Sequence, residues 1–411
     1  MYKNINFIDM CYFKTVFPFL ISVACVTLSG CHSDKEETPA EPETLITLEI
    51  DPSFVLISEA WVYATDETGE VLDVGRYYTG QTTKLSSIKP VDKVNLTFFQ
   101  RYEKTHFTRI HTYAAVPKGS MLRFVGSSEG GDTDASASIV LSNVKDDPGA
   151  TLNMSNAYPD WTKVGDDWHA NFSFYHDIPD LLVIAYRDDV PVYNWIKDLH
   201  NGDEVTRDFL ADFHPFPHLL NLDFEGANRG NIYGYYSGKR SGPGGVMLVD
   251  DILNTTYTPT PVLGYVEGFD SYSTTIYNQK ENGTVTYYKN GSPVTKLTIP
   301  TFTFSLIKKD KDGLDFNFSE DYHFLTSTWA YTVGLERANC EITAPKGAVV
   351  KGPVIPKEIQ TFYADLPLNN LSPAGIELFQ NIQGYTYQDL LSEAFGNPRA
   401  ASEYYIFAPE Y

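Results

Sequence analysis

Apolar and polar residues alternate along much of this chain, in short segments that end at Gly, Asn, Asp or Pro. In the clearest case Val94, Leu96 and Phe98 alternate with polar residues. Successive side chains of a strand point to opposite faces, so this pattern predicts half-buried strands. In the first region we predict strands at Leu45–Ile50, Ser58–Thr65, Val71–Tyr78, Thr82–Ile88, Lys93–Tyr102, Phe107–Val116 and Met121–Val125. Short strands separated by turns in this way are typical of a β-sandwich.

The next region repeats the first in the order of its strands and turns. Val62-Tyr63-Ala64 matches Val183-Ile184-Ala185, and Val94–Phe98 matches Leu220–Phe224. Asn171–Tyr175 then corresponds to the opening strand Leu45–Ile50. We therefore predict a duplicated sandwich, although chance similarity between β segments is the alternative.

The third region contains turn dipeptides that favour hairpins. Asn282-Gly283 and Asn290-Gly291 permit the positive φ angles of a tight turn, and Asp312-Gly313 follows them. The strands predicted here are Thr274–Tyr277, Thr284–Tyr288, Val294–Ile299, Thr301–Ile307, Leu314–Phe318, Trp329–Glu336, Cys340–Thr343 and Tyr404–Phe407. One helix is predicted at Tyr387–Phe395, with Thr386 as its N-cap and Gly396 at its end.

These patterns predict an all-β protein. Tandem immunoglobulin-like or transthyretin-like β-sandwich domains are followed by an antiparallel β-meander with a short C-terminal helix. The predicted ranges are a signal peptide at 1–30, an acidic flexible tether at 31–44, sandwich domains at 45–160 and 161–255, and a β-rich C-terminal domain at 256–411.

The N-terminal residues have the layout of a secretory signal, and the apolar stretch Val16–Leu28 is too short to span a bilayer. Leu28-Ser29-Gly30-Cys31 resembles the bacterial lipobox. The acidic residues after it resemble the export signal of Bacteroidota-type surface lipoproteins. The resemblance implies acylation of Cys31 and a protein held on the bacterial outer membrane, facing the exterior. An ordinary secretion signal and a merely solvated tether are the alternatives.

Composition excludes several kinds of site. The net charge of −22 argues against nucleic acid as a partner, although solubility explains such a charge equally well. Of the four cysteines, Cys11 and Cys25 would leave with the signal and Cys31 would carry lipid. Cys340 would then remain alone, which leaves no intramolecular disulfide and no cysteine-based metal site. We expect no cofactor.

Motifs of the common catalytic classes are absent: a serine-hydrolase elbow, a His-Glu-x-x-His metal site, a phosphate loop and a dinucleotide fingerprint. His214 and His218 are spaced like metal ligands on a helix, but Pro215 and Pro217 forbid that helix. Asp310–Asn317 departs from a calcium loop and is better explained by a hairpin. Gly238–Gly245 could hold an anion with its backbone amides, but a surface loop is the simpler interpretation.

Three tryptophans are the candidate ligand-binding residues. Trp161, Trp168 and Trp195 lie in or beside the second predicted domain, and the first two have acidic neighbours. An indole face can stack on a sugar ring while nearby carboxylates accept bonds from its hydroxyls. The alternative is that they fill seams between domains. Trp61 and Trp329 lie inside strand patterns and are predicted to be core residues.

These observations favour a non-catalytic, lipid-anchored surface protein that binds a glycan or another extracellular ligand. A first alternative is an anchor or subunit of a fimbria-like assembly, because Val62–Gly69 resembles the first strand pair of fimbrial anchor lipoproteins. A second is a glycoside hydrolase, whose carboxylates have no fixed spacing in sequence. The expected partners are the membrane, through the lipid, and a glycan or surface protein.

Overall fold

The computed structural model describes residues 41–54, 59–124, 134–144, 153–154, 159–175, 179–187, 190–222, 224–235, 246–250, 262–310, 313–396 and 401–410. Across these residues the chain is all-β, with sandwiches, antiparallel hairpins and two short α-helices. The signal peptide, Cys31 and the stretch Gly238–Gly245 lie outside the described residues. None of the helices in the described part is long and apolar enough to cross a membrane.

The first sandwich packs two sheets around one core. A three-stranded sheet has the order β4-β1-β7, in which β1 is antiparallel to β4 and parallel to β7. Strands β2, β3, β5 and β6 cover it from the other side, and Val62 of β2 and Leu96 of β5 pack in one core with Leu48 of β1. Its strands are β1 (Glu43–Ile50), β2 (Glu59–Thr65), β3 (Val71–Arg76), β4 (Thr82–Ser87), β5 (Lys93–Tyr102), β6 (Phe107–Pro117) and β7 (Ser120–Phe124).

The second sandwich has two four-stranded sheets of its own, with the orders β10-β11-β8-β14 and β15-β13-β12-β9. Its core contains Ile139, Phe172 and Val183. Its strands are β8 (Ala135–Ser142), β9 (Asn153–Met154), β10 (Asp160–Val164), β11 (Asp167–Phe174), β12 (Leu181–Arg187), β13 (Val190–Ile196), β14 (Glu204–Asp208) and β15 (His214–Pro215).

The remaining strands form hairpins and the larger part of one long sheet. They are β16 (His218–Asn221), β17 (Ala227–Tyr235), β18 (Val246–Asp250), β19 (Val262–Tyr265), β20 (Ser271–Lys280), β21 (Gly283–Gly291), β22 (Phe304–Asp310), β23 (Gly313–Phe318), β24 (Phe324–Val333), β25 (Glu336–Pro345), β26 (Ser372–Gln383) and β27 (Ser402–Pro409). The helices are α1 (Lys357–Phe362) and α2 (Tyr387–Ala394).

A twelve-stranded sheet connects the first sandwich to the C-terminal strands. Its order is β18-β17-β20-β21-β27-β26-β24-β25-β6-β5-β2-β3. The junction is a parallel pair between β6 and β25, in register from Arg337↔Phe107 to Thr343↔Tyr113. All three predicted domain ranges therefore contribute strands to this sheet, and the boundaries between them stay a prediction.

The two faces of this sheet carry different cores. On one face Ile110, Cys340 and Trp329 are fully buried in the largest cluster, and α1 packs on it through Ile359. On the other face lie the core of the first sandwich and an aromatic cluster around Phe324 and Tyr404. Between the core of the first sandwich and this aromatic cluster, strands β6, β25 and β24 carry polar residues on the same face. The two apolar clusters are thus separated by a polar strip.

Helix α2 lies beside this strip and confirms the helix predicted at Tyr387–Phe395. Thr386 accepts a hydrogen bond from the Asp389 amide, and the Asp389 side chain accepts one from the Thr386 amide in return, which forms a capping box. Leu391 and Phe395 are buried in the core of the first sandwich. The helix therefore docks a C-terminal segment onto the N-terminal region.

Most predicted strands are present with small shifts at their ends, but two predictions are wrong. No strand forms at 294–299, because Gly291 ends β21 and Phe302 beyond it packs into the core as irregular chain. The single strand predicted at Trp329–Glu336 is the end of β24, a turn at Gly334 with φ 62°, and the start of β25. A positive φ favours glycine, so this glycine is the turn signal that the prediction missed.

Candidate functional site

Two of the three predicted ligand-binding tryptophans face the core of the second sandwich. Trp161 on β10 pairs with Ala170, and Trp168 on β11 pairs with Lys163, which places both indoles on the same face. Trp168 is 7% exposed and belongs to the core, whereas Trp161 is partly buried against it. Trp168 therefore offers no open ring face.

The third, Trp195, lies on β13 and packs against a different core. Its ring centroid is 5.9 Å from that of Phe269, and the Lys197 ammonium lies 4.0 Å from the ring. It is partly buried against the cluster around Leu182 and Ile232. The three tryptophans are thus divided between two cores, and their ligand-binding role stays a prediction.

The two histidines with metal-like spacing lie at separate strands. His214 is on β15, whereas His218 begins β16, stacks on Tyr265 and lies 3.1 Å from a carboxylate oxygen of Glu267. Asp310 accepts a hydrogen bond from the Gly313 amide in the turn between β22 and β23. Among the described residues there is no group of three or more His, Cys, Asp or Glu side chains that could hold a metal ion.

The residues with the most varied chemistry line a groove between α2 and the polar strip of the long sheet. We call it the α2 groove, and its volume is about 400 Å³. Strands β6, β24, β25 and β26 form its floor, while α2 and the segment before it form a wall. Its lining is His111, Tyr113, Thr326, Thr328, Glu341, Thr343, Glu377, Tyr385, Leu390, Glu393 and Ala394.

Strand register explains why these residues meet. His111 pairs with Glu341, which pairs with Thr328. In the adjacent row Tyr113 pairs with Thr343, Thr343 pairs with Thr326, and Thr326 pairs with Glu377. Paired residues share a face of the sheet, so two rows of polar side chains lie next to each other.

The imidazole of His111 is neutral near pH 7. Burial, together with the nearby Arg109 charge, lowers the pKa of His111 to about 4. The Glu341 carboxylate, 3.5 Å from Nδ1, opposes this change, but the contact is long and the lost hydration outweighs it. The ring stacks on Tyr113 with a centroid distance of 4.2 Å, and Nε2 lies 3.3 Å from the Thr343 hydroxyl.

The carboxylates make the groove acidic. Loss of hydration against the groove walls raises the pKa of Glu377, and the charge of Glu341 acts in the same direction, although Glu377 is exposed to solvent. Glu393 accepts a hydrogen bond of 3.0 Å from the Tyr385 hydroxyl. No Lys or Arg is among the lining residues.

The α2 groove thus offers hydroxyl, carboxylate and imidazole groups along an open floor with an aromatic edge. Such groups can accept and donate hydrogen bonds to a polar ligand while the Tyr113 ring packs against its apolar parts. The sequence contains a signal for it on one strand, because Glu341 and Thr343 alternate with apolar residues on β25, whereas Thr326–Thr328 on β24 is an unbroken polar run. The alternation could not identify which strands become neighbours.

No protein family model matches this chain, and no curated protein matches it.

Proposed function

We propose that this protein is a lipid-anchored cell-surface protein that binds a hydroxyl-rich glycan in the α2 groove without chemical conversion. The observation that carries this proposal is the groove itself, a cavity of about 400 Å³ with a floor of hydroxyl and carboxylate side chains. Cavities of this size are typical of sites for small ligands or short stretches of polymer.

Charge narrows the class of glycan. Three glutamates line the groove, His111 is neutral, and the nearby cation Arg109 balances only one of the three. Sulfated sugars and uronic acids would meet like charge in a partly dehydrated site, which costs free energy. We therefore expect neutral sugars or free amino sugars to bind and acidic ones to be rejected.

A glycan array with the chain from residue 32 onward tests the proposal. Glu377→Gln keeps the shape of the side chain but removes a charged acceptor, so affinity for neutral glycans should fall roughly tenfold. The control is Glu281→Gln, which makes the same change at an exposed site in the turn between β20 and β21. Equal binding by both variants and the unchanged protein would reject the groove. Failure to bind any glycan, with co-purification of a surface-fibre protein, would favour the structural alternative.

Glycoside hydrolysis is a second candidate, favoured by one observation. Loss of hydration raises the pKa of Glu377, the charge of Glu341 acts in the same direction, and a carboxyl group with a raised pKa beside a second carboxylate is found in many glycosidases. Release of reducing ends from a polysaccharide, abolished by Glu377→Gln and retained by Glu281→Gln, would establish hydrolysis in place of simple binding.

The lipid anchor is supported by the lipobox resemblance at Cys31. The first strand, β1, begins only at Glu43, which is compatible with a tether between Cys31 and the folded chain. Only the thiol of Cys31 could carry the thioether lipid. Cys31→Ser should therefore shift the protein from the membrane fraction to the soluble fraction, as measured by detergent partitioning. Membrane retention of that variant would contradict the anchor.

A further inference from the structure

A second feature suited to a ligand lies on the opposite face of the long sheet. Trp61 pairs with Phe99, and Phe99 pairs with Ile110, so these three share one face. His111 follows Ile110 in the strand and points to the other face, where the α2 groove lies. Trp61 is partly exposed, because β3 next to it ends the sheet.

Two aromatic side chains and one arginine form a surface here, which we call the Trp61 platform. They are Trp61, Phe362 and Arg76. The guanidinium carbon of Arg76 lies 4.4 Å from the ring centroids of both Trp61 and Phe362. The two rings are 5.6 Å apart with an interplanar angle of 62°. Cation–π contacts on both rings hold the platform in one geometry before any ligand arrives, and Arg76 covers one face of each ring.

The platform is open to solvent and has a polar rim. Phe362 is 48% exposed, which is unusual for a large aromatic side chain in a chain whose cores are filled with Phe and Tyr. A shallow cavity of about 650 Å³ lies over the two rings, and Lys357, Glu358 and Thr361 of α1 border it. The rim supplies a cation, a carboxylate and a hydroxyl within one helical turn.

We propose that the Trp61 platform is a second carbohydrate subsite, which stacks one sugar ring on the exposed ring of Phe362, with Trp61 beside it. The C–H face of a sugar ring is apolar and slightly positive, so it packs on the negative face of an aromatic ring. Its hydroxyl edge then meets the polar side chains of α1. A purely apolar partner would leave the charged rim without hydrogen bonds, which disfavours it.

The subsite stands apart from the α2 groove, since the sheet separates the two. A polymeric glycan held at both places would gain affinity through effective concentration, without new contacts. This arrangement suits a protein that holds long chains at a cell surface, and it does not require that the groove bind the same sugar.

Affinity electrophoresis in gels that contain starch, xylan, mannan or β-1,3-glucan tests the subsite. Phe362→Ala removes the exposed ring, and we expect its dissociation constant for the retained polysaccharide to rise at least about fivefold. Phe362→Tyr keeps a stacking ring and should bind as the unchanged protein does. The matched control is Tyr78→Ala, which removes an aromatic side chain of equal exposure after β3.

The outcomes separate the two sites. Equal retardation of Phe362→Ala and the unchanged protein would overturn the subsite, even if Glu377→Gln is weakened. Weaker polysaccharide binding by Phe362→Ala, together with unchanged binding by Glu377→Gln, would support the subsite and reject the groove. No retardation of the unchanged protein in any gel, or an equal loss in Tyr78→Ala, would also overturn the subsite.

Discussion

Strands β2 and β12 are matched in the predicted repeat, and each pairs with the strand that follows it, yet their sheets differ. Both strands are buried on both faces: in β2 Val62 and Tyr63 face different cores, and in β12 so do Val183 and Ile184. The sheet of β2 has twelve strands, whereas that of β12 has four and ends at the two-residue strand β9.

The difference shows that a buried middle strand does not determine how far its sheet extends. In the first sandwich β6 remains available at the edge and pairs with β25. This junction carries the C-terminal strands and creates the polar floor of the α2 groove beside the first core. The second sandwich, β8 to β15, adds no strand to the twelve-stranded sheet and contributes no residue to the groove lining. The α2 groove thus depends on the junction and not on the second sandwich.

The largest effect should come from the core that the junction creates. Trp329 is fully buried in the twelve-stranded sheet, and its indole N–H donates to the Ser327 hydroxyl at 3.2 Å. Trp329→Ala leaves a large cavity and an unpaired hydroxyl, so the free energy of unfolding should fall by about 4 kcal/mol. Urea unfolding followed by circular dichroism measures it. A loss below about 1 kcal/mol would mean that the junction core contributes little.

The ion pairs at the end of the junction should have the next largest effect. Arg101 is 3% exposed, and its guanidinium lies 2.8 Å from Glu336 and 3.4 Å from Glu103. Arg101→Ala removes a buried guanidinium and leaves His106, 2.9 Å away, as the remaining partner of the partly buried Glu336, which should cost about 2 to 3 kcal/mol. Arg337→Ala is the control, because Arg337 is exposed on the same hairpin and should change stability by less than about 0.5 kcal/mol. Equal losses would show that the buried pair has no special role.

The polar floor should make stability depend on pH. His111 has a folded-state pKa of about 4 against an ordinary 6.5, so the unfolded chain binds a proton more readily. His111 therefore contributes its whole share of the free energy of unfolding above pH 6.5, and this share is lost as the pH falls towards 4. We expect a loss of about 2 kcal/mol, because the imidazole keeps some exposure to solvent. His111→Gln should flatten this part of the stability curve. An unchanged curve would contradict the burial of a neutral imidazole.

The smallest effect should come from the cap that holds α2 over the groove. The Thr386 side chain bonds to the Asp389 amide. Thr386→Ala should cost about 1 kcal/mol and increase hydrogen exchange in Tyr387–Ala394. Thr386→Ser retains the hydroxyl and should restore protection. Unchanged exchange in Thr386→Ala would show that packing of Leu391 and Phe395 alone fixes the helix.

The sequence predicts the individual strands and helices of this protein much better than it predicts which strands pair with each other. Alternation placed β5 at Lys93–Tyr102, and the capping residues placed α2, because both depend on nearby residues. The pairing of β6 with β25 could not be predicted, because the residues of an edge strand do not specify which strand, more than two hundred residues away, will pair with it. For the same reason His111 and Glu377 were not predicted to share a site. Trp61 was predicted to be a core residue because its strand is apolar, but it lies near the end of the sheet.

Hydrogen–deuterium exchange with a bound oligosaccharide would show directly whether the α2 groove is the binding site. The probe is the neutral oligosaccharide that the array retains most strongly, added to the chain from residue 32 onward. We predict new protection in β6, β25 and β26 and in α2, which surround His111, Glu341 and Glu377. Protection confined to β10, β11 and β13, around Trp161, Trp168 and Trp195, would contradict the assignment of the α2 groove as the binding site.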